Sequence, residues 1–142
     1  KLLQRRFGHA SAERALSGPG IENLHHALAQ ARGEHVPLRD AAAIVHDALA
    51  GSDALSRDTL GMFCALLGSA SGNLALTLGA RGGLFIGGGI VPRLGEWFDH
   101  SPFRARFEAK GRFAGYLHEV PTQVLVHSEA AALLGAARAL GD

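Results

Sequence analysis

The sequence predicts an α/β fold that is predominantly helical, with about six helices and about two strands, and three observations carry that expectation. Apolar residues recur at spacings of three and four over most of the chain, the mark of helices with one buried face. Two short apolar runs, Leu84-Phe85-Ile86 and Thr122-Gln123-Val124-Leu125-Val126-His127, read as strands. Between them, Gly82-Gly83-Leu84-Phe85-Ile86-Gly87-Gly88-Gly89-Ile90-Val91-Pro92 runs from a strand through a glycine turn into an amphipathic segment. In open α/β sheets, ligands bind at the carboxyl ends of strands, where this turn falls. Two strands alone make a poor sheet, so either the domain is mostly helical or the pair belongs to a larger sheet.

Taken in order, residues 9–16 read as a short helix that ends where Ser17-Gly18-Pro19-Gly20 forms a turn. Ile21, Leu24, Leu28 and Ala31 mark the next helix, with Gly33 in the C′ position. Asp40 is an N-cap for a helix through Ala41, Ile44, Val45 and Ala48 that stops at Gly51. The longest periodic element spans residues 52–79, with Leu60, Phe63, Leu67, Ala70, Leu74 and Leu78 as its buried stripe. Its middle, Gly68-Ser69-Ala70-Ser71-Gly72, is small enough for another backbone to approach closely. Beyond the glycine turn, Ser101 is read as an N-cap and Pro102 as N1 of a helix with Phe103 and Phe107 on one face and an Arg104–Glu108 pair at i,i+4. After the second strand, expected to be buried, an Ala/Leu-rich helix runs from about Glu129 to Leu140.

Composition narrows the functional classes. The chain has 142 residues, 47% hydrophobic and 19% charged, enough for one domain with its own core. A net charge of +1, with both signs interspersed, argues against nucleic acid as a partner. No run of about 18 uninterrupted apolar residues suggests a membrane span. Cys64 is the only cysteine, which excludes an intrachain disulfide and a thiolate zinc site, and fits a reducing cytoplasm. Eight histidines contain no His-x-x-x-His pair, so they are assigned structural or surface roles and no metal site is expected. No Gly-x-Ser-x-Gly elbow is present, and Cys64 beside Phe63 reads as an inert core thiol.

Two segments have a chemical reading beside a bland one. Gly87-Gly88-Gly89 could let a flat or anionic ligand lie on bare backbone before a helix N-terminus, although glycine turns of this kind more often serve packing. Glu13, near a helix end stopped by Gly18-Pro19, could accept hydrogen bonds from the vicinal hydroxyls of a polyol, or could be a solvated neighbour of Arg14.

Gly8-His-Ala-Ser-Ala-Glu-Arg-Ala-Leu-Ser-Gly-Pro-Gly20, Gly72-Asn-Leu-Ala-Leu76, Gly82 through Arg93, Phe103 through Phe113 and His118-Glu-Val-Pro121 together resemble the C-terminal part of the bacterial glucokinases, nearly end to end. These belong to the sugar kinase, Hsp70 and actin-like ATPase superfamily. The resemblance implies a ribonuclease H-like sugar kinase fold, with residues 1–127 in the large C-terminal domain. Residues 128–142 would form a C-terminal helix packing on a small N-terminal domain; with that domain absent, its Leu133/Leu134 face would be exposed or covered by a neighbouring chain. It implies ATP-dependent phosphorylation of glucose to glucose 6-phosphate in the cytoplasm, the entry to glycolysis, with Mg²⁺ and commonly as a homodimer.

By the same resemblance Glu13 matches the sugar-binding carboxylate, while Gly87, Gly88, Gly89 and Ile90 match the adenosine motif. The Ser17–Gly20 turn would lie at the floor of the cleft. The phosphate loop, the Asn-Asp pair with the general-base aspartate and a Glu-Gly-Gly-His sugar loop would precede Lys1, so the chain is expected to be a C-terminal portion, inactive alone, with no catalytic residue of its own. The zinc-binding cysteines of the related repressor families are not in this sequence. A non-catalytic sugar sensor built on the same fold is the alternative.

Overall fold

The computed structural model describes residues 1–126 and 131–141. Its first half is helical: α1 (Leu2–Phe7), a 3₁₀ turn at Ala12–Arg14, α2 (Gly18–Arg32), α3 (Ala41–Ala50) and α4 (Ala54–Leu78). Strand β1 (Leu84–Ile86) is followed by the short helices α5 (Val91–Leu94), α6 (Glu96–Asp99) and α7 (Phe103–Glu108). A second 3₁₀ turn at Gly111–Phe113 runs into α8 (Ala114–His118), and β2 (Thr122–Val124) and α9 (Ala131–Ala139) complete the order.

Local signals set the ends of the long helices. Asp40 and Asp53 accept hydrogen bonds from the N–H groups of Ala43 (2.7 Å) and Ser56 (2.8 Å), capping α3 and α4. Helices α2, α3 and α4 close on Gly33, Gly51 and Gly79 in the left-handed conformation, each with the paired carbonyl bonds of a Schellman stop. The expected helix at 9–16 is only the 3₁₀ turn, and Ser17–Gly20 is no free turn. Ser17 Oγ accepts from Gly20 N–H at 3.0 Å, so Gly18, Pro19 and Gly20 form the first turn of α2, which starts three residues earlier than its apolar stripe suggests. At the other cap, Ser101 and Pro102 lie one residue earlier than expected: Pro102 is the N-cap, and Ser101 Oγ accepts from Phe103 N–H at 3.3 Å.

Helix α4 is the axis of the core. By length and composition it could cross a membrane, but here it packs against α2, α3 and α7. Its buried face begins with Leu55, Ser56 and Thr59, runs on through Leu60, Phe63 and Cys64, and continues through Gly68, Ser71, Gly72 and Ala75. The expected stripe fails in the second half, where Leu74 and Leu78 are 52% and 70% exposed. A straight helix drifts around its axis, and the small residues, not the leucines, meet α7.

That contact is close. A Cβ built on Gly68 would stand 2.1 Å from the Phe103 carbonyl oxygen, and one on Gly72 2.4 Å from that of Phe107. The backbone of α7 therefore lies directly on α4, with Phe103 and Phe107 fully buried beside it and stacked on each other. Lys110 Nζ donates to the Ser69 carbonyl (2.9 Å) and hydroxyl (3.1 Å), fastening the end of α7 to the same seam.

The strands pair in parallel, Leu84 opposite Thr122 and Ile86 opposite Val124, as the only sheet among the described residues. Burial of the second strand is weaker than its sequence predicts. Ile86 is buried, but Phe85 and Val126 are 62% and 70% exposed. Parallel strands carry apolar residues toward both faces because both are normally covered, and in this chain one face is bare. The end of the predicted strand at His127 and the predicted helix start at Glu129 lie outside the described residues. Within α9, Leu133 and Leu134 are exposed.

Candidate functional site

At the carboxyl end of β1 the chain leaves the sheet through Gly87, Gly88 and Gly89, all exposed, and enters α5 through half-buried Ile90. Gly88 holds φ at 101°, a conformation that L side chains rarely adopt. A Cβ added at Gly88 or Gly89 would meet nothing within 4 Å. No neighbouring backbone or side chain occupies that space. Ile90 packs on the core and Val91 and Leu94 are buried, so the turn is anchored on its downstream side.

The helix that follows is a correction to the sequence reading. It is a single turn, Val91–Leu94, with Pro92 inside it, and Gly95 ends it. So short a helix has little dipole, and Pro92 lacks an N–H, so the turn offers bare backbone more than a helix N-terminus.

Glu13 lies in the 3₁₀ turn before α2 and is exposed. Arg14, its expected partner in the bland reading, lays its guanidinium over the Phe7 ring at 4.5 Å, and its carbonyl accepts from Asn23 Nδ2 at 3.1 Å. The Ser17 hydroxyl donates to the Glu13 carbonyl at 2.8 Å while capping α2. The backbone of Glu13 is thus fixed while its carboxylate faces outward. Gly20 allows this turn to sit close, since a Cβ there would fall 2.5 Å from the Ala15 carbonyl carbon. An apolar groove of about 610 Å³ between α1, α2 and α4 passes beside Ser11 and Ala12, but its lining includes neither Glu13 nor the glycine turn.

Other candidates have structural roles. Cys64 is fully buried and desolvation pushes its thiol up to about 11, the chemistry of an inert core residue. Among the described residues no three His, Cys, Asp or Glu side chains gather as a metal site would require. Arg104 does more than its sequence spacing shows. Besides pairing with Glu108, it donates to the carbonyls of Leu117 (3.2 Å), His118 (2.7 Å) and Val120 (2.8 Å). These carbonyls lie at and just beyond the end of α8, so Arg104 ties that turn down before β2. Partial burial disfavours the Glu108 anion, but Arg104 and His118 outweigh it and hold its carboxyl below the usual carboxylate range. No local pattern announces these bonds, whose acceptors lie 13 to 16 residues downstream.

Helices around a parallel strand pair, with an open glycine turn at a strand's carboxyl end, define an α/β domain, and ligands of open α/β sheets bind at that end. Comparison with known proteins narrows the class. All 142 residues match the glucokinase family, and the chain belongs to it. It is 54% identical to a glucokinase of Chromobacterium violaceum over 100% of this chain and 40% of that protein. With a glucokinase of Aromatoleum aromaticum the identity is 53%, over 99% and 42%. The crystal structure of a glucokinase from an Antarctic psychrotroph superimposes with a TM-score of 0.88 at 42% identity, over 98% of this chain and 43% of that one. The chain therefore spans less than half the length of these relatives. In Burkholderia pseudomallei the similar protein is a bifunctional protein, 50% identical and matched over only 22% of its length.

Proposed function

We propose that the parent protein is an ATP-dependent glucose kinase, producing glucose 6-phosphate in the cytoplasm, and that this chain supplies one wall of its cleft. The family match over the whole chain carries the reading. In this arrangement Glu13 accepts hydrogen bonds from glucose hydroxyls, which its fixed backbone and outward carboxylate suit. Gly87, Gly88 and Gly89 with Ile90 form the surface on which adenosine lies, and the open space beside Gly88 and Gly89 supports that role. When bound, ATP with Mg²⁺ supplies the phosphoryl group. This chain's residues orient the sugar and cover the nucleoside; the general base and phosphate-holding loops belong to the remainder of the parent, and the fold is of the actin-like ATPase type. A homodimer is the expected assembly.

Glucose-dependent ADP formation by the full-length parent tests the reading, and a folded parent with no turnover removes it. E13Q in that parent should raise the KM for glucose about ten- to hundredfold, as loss of a charged hydrogen-bond acceptor implies. The longer bifunctional relative favours a second reading in which the kinase module is joined to a further activity; glucose binding without ADP formation would select the sugar sensor instead.

A further inference from the structure

The 3₁₀ turn that carries Glu13 is too short to hold its own shape, because bonds of this type have poor geometry, and contacts from outside decide where its side chains stand. Residues of α2 meet the carbonyls of Glu13, Arg14 and Ala15 in succession. The Ser17 hydroxyl donates to the first at 2.8 Å, Asn23 Nδ2 donates to the second at 3.1 Å, and Gly20 leaves room for the third by lacking a side chain. Ser17 also caps α2, and a Cβ at Gly20 would collide with Ala15, so both residues shape the fold itself. Asn23 caps no helix. Its half-buried amide reaches out of α2 to the Glu13 turn.

Helix α1 orients that amide. Arg6 Nη1 donates to Asn23 Oδ1 at 3.3 Å, which turns the NH₂ end of the side chain toward the Arg14 carbonyl. The Phe7 ring beside it carries two guanidinium groups, that of Arg6 at 5.0 Å and that of Arg14 at 4.5 Å. These contacts close on themselves, from Phe7 to Arg14, through the Arg14 carbonyl to Asn23, and through Arg6 back to Phe7. The consequence is electrostatic as well as geometric. Arg14, the cation next to Glu13 in sequence, keeps its guanidinium on Phe7 and leaves the carboxylate as an acceptor for hydroxyls.

We propose that Asn23, oriented by Arg6, is a positioning residue for the sugar site: it holds the carbonyl of the residue after Glu13 and so fixes where the carboxylate meets the hydroxyls of glucose. This rests on the reading of Glu13 as the sugar-binding carboxylate. Hydrogen bonds to hydroxyls weaken steeply outside a narrow range of distance and angle, and a displacement of about 1 Å in a positioned group is felt strongly in turnover. One amide that anchors the turn is therefore enough to govern sugar binding.

The test uses the full-length parent and steady-state kinetics for both substrates. N23D keeps the size of the side chain and an oxygen for Arg6, but it sets a carboxylate oxygen where Nδ2 donated, so the Arg14 carbonyl loses its donor. The KM for glucose should rise about tenfold, as loss of one anchoring bond implies, while the KM for ATP stays within about twofold. In an E13Q background the same change should raise the glucose KM less than about twofold, because a residue that works through Glu13 then has nothing left to position. R6A, a change at an exposed residue, frees the Asn23 amide without removing it and should raise the glucose KM about threefold; if N23D does not fold, R6A alone and combined with E13Q carries the same test. Equal changes in both KM values, or a full effect on top of E13Q, would give Asn23 a general structural role and overturn the proposal. It is overturned equally if N23D leaves the glucose KM unchanged while E13Q raises it. An unchanged glucose KM in E13Q itself removes the reading of Glu13 first, and the proposal with it.

Discussion

Two groups of glycines in this chain have opposite physical reasons to exist. Gly68 and Gly72 are buried in α4, where any side chain would collide with the α7 backbone. Gly88 and Gly89 stand in the open, where a side chain would meet nothing. Glycine richness looks the same in both sequences, but the first pair supports the fold and the second leaves a surface bare.

The largest effect expected from breaking this contrast is at the buried pair. Gly68→Val must push α7 away, and as an overpacked core substitution it should cost about 3 kcal/mol or more in urea unfolding. A cost below about 0.5 kcal/mol would mean that α7 is not seated on α4. Next is Arg104→Ala, which removes the guanidinium bonds to the carbonyls of Leu117, His118 and Val120; a loss of about 2 kcal/mol is expected, with lysine restoring only part because it lacks the planar fork. Unchanged stability would show that water replaces the guanidinium.

In the open turn, Gly89→Ala should change stability by less than about 0.5 kcal/mol yet weaken ATP binding by the parent about tenfold, by crowding the surface proposed for adenosine. Unchanged ATP affinity would remove Gly89 from the nucleotide site. The smallest effect is in acid. Bonds from Ser56 hold the Asp53 carboxyl below its ordinary 3.8, despite some desolvation. A group with a depressed folded pKa stabilises fully above its unfolded value, so this contribution of about 1 kcal/mol should fade as pH falls from 3.8 through the lower folded value. Asp53→Asn, which keeps a cap but cannot titrate, should flatten that part of the stability profile; an unchanged slope would assign the acid loss elsewhere.

Much of the helical framework was legible because its signals are local. Asp40 and Gly51 bracket α3 as read, Gly33 and Gly79 stop their helices, and the small seam at Gly68–Gly72 correctly announced a close partner. Misreadings occurred where local signals conflicted. Gly18-Pro19-Gly20 looks like a helix breaker but is a capped first turn, because proline is tolerated at N1 and N2 where no N–H is needed. Of the candidate site, the residue types at Glu13 and Gly87–Ile90 were legible, mainly through their resemblance to a family. Their exposure was not, because exposure depends on which distant segments fail to cover them.

By itself, the sequence determined where most long helices stop, that β1 ends in a glycine turn, and that α4 must receive another backbone at its middle. Caps, φ preferences and side-chain size act over a few residues and are written in order along the chain. Only the tertiary structure decided that Phe103 and Phe107 are what Gly68 and Gly72 receive, that Arg104 serves three distant carbonyls, and that Leu74 and Leu78 face outward. Those outcomes are settled by competition among whole surfaces for burial, and such competition has no fixed spacing in the sequence.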